Sequence, residues 1–231
     1  MEKLVRPMLV AGSVVLFVFG TAASAQVTVG TANTDNCFPF SCAASGFNQY
    51  QQVYGSAAFS GPLTIGSLSF FRNDATTAPG GTFASGTYNI FLSTTSKPVG
   101  GLDATFANNV TSPLVFFASL VISAGSGQVP TFTITGTPFS YNPAAGNLLL
   151  DVMYSNANGA GYFFRAENLA PGSVSRVFGG GATGNSDEIG LVTRFEPAVI
   201  TATPEPASIV LTATGLVAFL TVMHRRKRSA A

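Results

Sequence analysis

Histidine is almost missing from this chain of 231 residues, and the one present, His224, stands beside an Arg-rich run at the C-terminal end. The rest of the chain therefore has no imidazole for a Ser-His-Asp or Cys-His catalytic group, or for a histidine metal site. Tryptophan is absent altogether, which leaves any stacking on a flat ligand to tyrosine and phenylalanine. Cysteine occurs twice, at Cys37 and Cys42, too few for a thiolate metal cage without imidazole partners. Charge is scarce at 9% of residues. Six of the eleven basic residues (Lys3, Arg6, Arg225, Arg226, Lys227, Arg228) lie near the two ends. Between them five basic residues face eight acids, five minus eight giving −3. Phosphate binding relies on clustered Lys and Arg, so nucleic acid is excluded as a partner. The glycine run Gly179 to Gly184 lacks the lysine of a phosphate-binding loop and reads as a flexible loop.

The body is rich in Gly, Ser, Thr, Asn and Phe. Few strong helix formers and many β-branched and aromatic residues point to an all-β domain, with a surface solvated by hydroxyls and amides. After an irregular opening over 30–48, strands are expected over 49–59, 63–72, 87–94, 114–123, 131–139, 147–154, 162–167, 173–178 and 189–196. Residues 114–123 and 131–139 read as a pair, and 147–154 as a central strand because it is among the most apolar. In 131–139 the threonines alternate with Phe132 and Ile134, the pattern of a half-buried strand with a hydroxyl face. Short strands divided by Gly, Pro and Asn turns, without an internal repeat, predict a two-sheet antiparallel β-sandwich over 26–196, jelly-roll-like, with a linker over 197–203.

Both ends read as signals. Lys3 and Arg6 precede an apolar stretch, and Ala23-Ser24-Ala25 before Gln26 is a small-residue cleavage site. Residues 1–25 thus read as a secretory signal peptide, a helical segment removed from the mature chain. At the other end Pro204, Glu205 and Pro206 come first, and the prolines hold the chain extended. An uncharged run from Ala207 to Met223 follows, expected as a transmembrane helix; at roughly 25 Å it is at the short limit for a bilayer core of about 30 Å. Arg225, Arg226, Lys227 and Arg228 then read as a cytoplasmic stop-transfer run.

Pro-Glu-Pro, a short apolar span and an Arg-rich end, in that order over residues 204–231, resemble the PEP-CTERM sorting signal. Where that family often has Val before the first proline, this chain has Thr203. The resemblance implies a Gram-negative bacterium that makes extracellular polysaccharide, and an exosortase-type protease that recognises the tail. It also implies membrane attachment before processing. The segments Leu92 to Asn109 and Thr137 to Asp151 are similar to the bodies of other PEP-CTERM proteins, which implies a β-sandwich without implying an activity.

Four groups of residues in the body are candidates for chemistry. Cys37 and Cys42 form a disulfide if the chain is exported, or else remain as two thiols; so short a loop would be stiffened rather than hold the fold together. Asn185, Asp187 and Glu188 on one loop, and Asn33, Asp35 and Asn36 on another, offer hard oxygens for calcium, although neither has a calcium-loop spacing. A glycan hydrolase would need two acids across a cleft; Asp151 reads instead as a structural carboxylate and Asp187-Glu188 as a solvated turn. Tyr50, Tyr54, Tyr141, Tyr154 and Tyr162 are the aromatics a carbohydrate-binding module would expose, or else residues at the core edge with their hydroxyls in water. The reading that combines these features is a secreted, non-enzymatic surface or matrix protein without a cofactor. The alternative is a module binding extracellular polysaccharide.

Overall fold

The computed structural model describes residues 25–42, 46–127, 129–158, 161–199 and 206–228, with backbone alone at 156–158 and at 206–210, 213, 221 and 227. Of the expected signal peptide over 1–25, residues 1–24, Ala23 among them, lie outside the described residues, as do Pro204 and Glu205. The chain is mostly β, with antiparallel sheets packed together, and the strands divide among three sheets. A four-stranded sheet is formed by β1 (Val27–Val29), β4 (Leu63–Phe71), β7 (Thr131–Tyr141) and β13 (Thr193–Pro197), in the order β1-β13-β4-β7. A six-stranded sheet contains β3 (Gln49–Tyr54), β5 (Ser85–Thr95), β6 (Val115–Ile122), β8 (Asn147–Asn158), β10 (Val174–Gly180) and β11 (Thr183–Asp187), in the order β11-β10-β3-β8-β5-β6. A small third sheet, β12-β9-β2, joins β2 (Thr34–Asn36), β9 (Phe164–Asn168) and β12 (Ile189–Leu191).

The inner faces follow from alternation. In β5 the buried residues Tyr88, Ile90 and Leu92 stand two apart, the period at which side chains share one face of a strand. In β4 the buried set runs Leu63, Ile65 and then Leu68, Phe70, because β4 carries one extra residue against β13, where Glu196 stands opposite Ser67 and Pro197 opposite Ile65. That bulge is the physical reason the sequence alternation fails in this strand. Gly66 sits within it, where a Cβ would stand 2.5 Å from the Cα of Ala198. The tail of β13 crosses there, and Ala198 N–H donates to the Thr64 carbonyl at 2.8 Å.

Aromatic rings fill the space between the sheets. Tyr54 of the six-stranded sheet meets Phe195 of the four-stranded sheet edge-on at 4.9 Å. Phe40 lies in the loop closed by the Cys37–Cys42 disulfide, and is fully buried. Its ring touches those of Phe70, Tyr88, Phe132 and Phe164. The disulfide therefore does more than stiffen a surface loop: it holds the turn that delivers a central core side chain. On the far flank, Gly136 lets β7 approach β6, since a Cβ there would stand 2.4 Å from the Phe117 carbonyl oxygen.

Several expectations change. The long strand over 49–59 stops at Tyr54 and a 3-10 turn occupies Ser56–Ala58. Strands β6 and β7 are consecutive in the chain but lie in different sheets, so they are not a hydrogen-bonded pair. The glycine run 179–184 is the hairpin between β10 and β11 rather than a flexible loop. The stretch 189–196 is broken at Val192 into β12 and β13, which serve different sheets. The expected irregular opening contains β2. Strand β8 is central in its sheet, as its apolar content indicated.

The C-terminal segment is a helix, α1 (Pro206–Arg228). Among the described residues, however, no helix is long and apolar enough to cross a membrane, which corrects the transmembrane helix expected over 207–223. The physical reason lies in the run itself: its uncharged part is short, and Thr212, Thr214, Gly215 and Thr221 dilute it.

Replacing Phe40 by Ala should cost about 3–5 kcal/mol of stability, read as a lower urea midpoint. Replacing both cysteines by Ser should cost less, about 2 kcal/mol for so short a loop. An equal or larger loss for the cysteine pair would show that the covalent link, rather than the ring it positions, dominates.

Candidate functional site

The outer face of the six-stranded sheet carries a groove. Registers along β3, β8, β5 and β6 align side chains in rows across the strands: Gln51, Asp151, Phe91 and Phe116 in one, and Gln49, Met153, Asn89 and Ser119 in the next. Thr87 stands beside Ser155 on β8 and Val121 on β6 in a third row. Two depressions over these rows, of about 240 Å³ and about 510 Å³, share Gln49 and Met153 and so adjoin along the groove. The smaller is lined by Asn48, Gln49, Thr87, Asn89, Met153 and Ser155, and the larger adds Gln51, Asp151, Phe106, Val110 and Leu114.

One wall is the connection from β5 to β6, folded back over the sheet. Leu102 and Phe106 from this connection pack on Val53, Leu149 and Val177, a second small core outside the main one. The tip of the β10–β11 hairpin pins the wall: Phe106 N–H donates to the Ala182 carbonyl at 3.2 Å and Gly184 N–H to that of Ala104 at 2.8 Å.

Under the groove lies a connected set of polar side chains. Gln51 Nε2 donates to Asp151 Oδ2 at 2.6 Å, and Gln49 Nε2 donates to both carboxylate oxygens at 3.0 Å. Asn109 Nδ2 donates to Gln51 Oε1 at 2.9 Å, and Asn109 Oδ1 accepts from Asp103 N–H at 2.7 Å. Gln51, Asn109 and Asp151 are fully buried. Burial raises the Asp151 pKa above its ordinary value, and the amide donors of Gln51 and Gln49 only partly offset it. No Lys or Arg lines either depression.

No family model, characterised protein or solved structure matches the chain. The site is therefore read from its own residues.

The structure places the residues singled out in the sequence as follows. Cys37 and Cys42 form a disulfide. Asp187 is neither a free calcium ligand nor a solvated turn. Its two oxygens accept from Arg176 Nε at 2.8 Å and Arg176 Nη2 at 2.9 Å, and the Arg176 guanidinium lies over the Phe178 ring at 4.5 Å. Asn185 points to solvent, and Glu188 lies against Gly100 rather than beside the Asp187 carboxylate. In the other calcium candidate, Asn33 pairs with the backbone of Asn168 and Asn36 with that of Phe38, while Asp35 stands opposite Arg165. Among the described residues, no three acidic, histidine or cysteine side chains gather as a metal site.

The five tyrosines are core residues, not a binding platform and not a wet core edge. Tyr50, Tyr54, Tyr141, Tyr154 and Tyr162 are all buried, and burial pushes the last three up to about 12. Most find partners inside: Tyr50 donates to Gln52, Tyr54 pairs with Thr193, Tyr141 donates to Gly146 and Tyr162 to Val129. The Tyr154 hydroxyl finds none among the described residues.

Glu167 is a structural acid that sequence reasoning missed. It is buried and accepts from the backbone of Thr31, Ser173 and Val174 and from the Ser173 hydroxyl. The network around Asp151 was equally hidden, because Gln51 and Asn109 stand 58 residues apart. The one local signal was the run of amides in Gln49-Tyr50-Gln51-Gln52, too polar for an ordinary buried strand.

Two substitutions check these assignments. Because the folded pKa of Asp151 is raised, the group favours folding most below its ordinary pKa of about 4. That contribution is lost as pH rises through the folded value. Asp151→Asn should therefore gain stability relative to the native chain as pH rises from about 4, measured by urea unfolding at a series of pH values. A gap independent of pH would show that folding does not hinder ionisation. Tyr154→Phe should be neutral or stabilise by about 1 kcal/mol, since an unsatisfied buried hydroxyl is a cost; a clear loss in thermal unfolding would reveal a partner for it.

Proposed function

We propose that the chain is an exported, non-catalytic β-sandwich protein of the cell surface or extracellular matrix, jelly-roll-like in its wrapping. Its C-terminal tail, Pro204-Glu205-Pro206 followed by an apolar helix and Arg225 to Arg228, directs it to an exosortase-type processing protease. The observation that carries this reading is the state of α1. Its described apolar side chains are not packed into the body: Leu211 is 77% exposed and Leu216, Val217 and Phe219 are above 60%. A contiguous exposed apolar surface needs another apolar environment, and a basic end beside it favours a membrane surface with anionic lipids. The tail is therefore held at the membrane until processing releases the body.

Two features of the body support the same reading. The Cys37–Cys42 disulfide suits an oxidising, extracytoplasmic compartment. The acids are used structurally: Glu167 holds backbone donors, Asp187 pairs with Arg176, and Asp151 is the one carboxylate lining the groove. Glycoside hydrolysis needs a second acid across the cleft.

The test is the intact mass of the protein recovered from the envelope and medium of its host. A product that begins at Gln26 and ends between Thr203 and Pro206 is expected, and Glu205→Ala should give a folded but unprocessed chain. Normal processing of that variant, or a native product that keeps Arg225 to Arg228, would overturn the reading.

A further inference from the structure

The groove on the six-stranded sheet has three properties that together limit its ligand. The first is acceptor capacity. Gln49 uses its amide nitrogen on Asp151 and leaves its carbonyl oxygen without a donor among the described residues. Asn89, Thr87 and Ser155 add amide and hydroxyl groups along the same floor. The second property is the sign of charge: a carboxylate is present and no cation lines the groove, so phosphate, sulfate and uronate groups are repelled. The third is apolar surface set directly beside the polar groups. Leu114 and the exposed Met153 flank the acceptors, and the exposed Phe116 meets Phe91 edge-on at 5.8 Å at the end of the Asp151 row.

A ligand that fits donates many hydrogen bonds, carries no negative charge and offers apolar C–H faces between its polar groups. We infer that the groove binds a neutral polysaccharide chain lying across strands β3, β8 and β5. Sugar hydroxyls donate to Gln49 and exchange bonds with Asn89, Thr87 and Ser155, while ring faces rest on Met153 and Leu114. Within a row, positions stand about 4.8 Å apart from strand to strand, a spacing close to one sugar ring. An extended peptide is a poorer occupant. Strands β3, β8 and β5 are interior to the sheet, so their backbone offers no free ladder for a peptide to join. The buried amide network has a role here: it fixes the Asp151 carboxylate and the wall at Phe106 before any ligand arrives, which lowers the ordering cost of binding.

The inference builds on the proposed export only for where the polysaccharide is met. The full chain, purified in a mild detergent, is applied to an array of neutral and acidic microbial glycans and of unrelated peptides. Affinity for the glycans that bind is then measured by calorimetry. Binding to neutral glycans is expected, weakened at least tenfold by Met153→Lys and by Asn89→Ala. Thr135→Ala, on the exposed face of the four-stranded sheet, should leave it unchanged. Circular dichroism of each variant separates loss of binding from loss of fold. Preference for acidic glycans, binding to peptides alone, binding indifferent to Met153→Lys and Asn89→Ala in folded protein, or no binding at all would each overturn the inference. Because the purified chain is used, these outcomes are independent of whether Glu205→Ala alters processing.

Discussion

Strand β3 is buried on both of its faces, and the rest of the body is arranged to satisfy it. Only Gln49 at its start is partly exposed; Tyr50, Gln51, Gln52, Val53 and Tyr54 are enclosed. A buried amide without partners costs free energy comparable to a lost hydrogen bond, so each polar side chain here requires a specific neighbour. Gln52 bonds both the N–H and the carbonyl of Leu191, Tyr54 reaches Thr193 in the opposite sheet, and Gln51 holds Asp151 and is itself held by Asn109. The strand thus ties together the six-stranded sheet, the small third sheet, the four-stranded sheet and the wall of the groove. Oily packing alone tolerates sliding; directional bonds at both faces specify one register.

The same economy explains how so weakly charged a chain can be well defined. Within the body, several of its few charges are spent at joints. Glu167 gathers the β1–β2 loop and the turn after β9, and Arg176 with Asp187 locks β10 to β11 while the guanidinium covers the Phe178 ring. What remains outside is largely hydroxyl and amide, as on β7, where Thr133 pairs with Ser69 across the strands. The groove inherits this character. Its one carboxylate is embedded among amides, and its apolar side chains are set singly between polar ones.

The sequence showed the class of fold through local properties, and these were read correctly wherever one strand has one buried face. The alternation of β7 is of this kind, and β8 was placed at the centre by its apolar content. It failed where geometry depends on a distant partner. The bulge in β4 was visible only as a broken pattern, because its cause is the passage of Ala198 over Gly66. The buried tyrosines were read as surface or edge residues because a phenolic hydroxyl usually seeks water; here backbone carbonyls and side chains far along the chain accept from most of them. The groove was not legible at all. Its floor draws on three strands separated by long connections, and its wall takes shape only when Asn109 meets Gln51.

The first and last strands of the body lie side by side: Val27 stands opposite Phe195, and β13 separates β1 from β4. Strand β1 has no other sheet neighbour, so the earliest segment made must wait for the latest. Until β13 arrives, β4 also has an open edge, and an unpaired edge is a template for association with another chain. Contacts this distant in sequence form slowly, because loop closure must precede any gain. A nascent body of this kind has a long vulnerable interval that ends in one closing step.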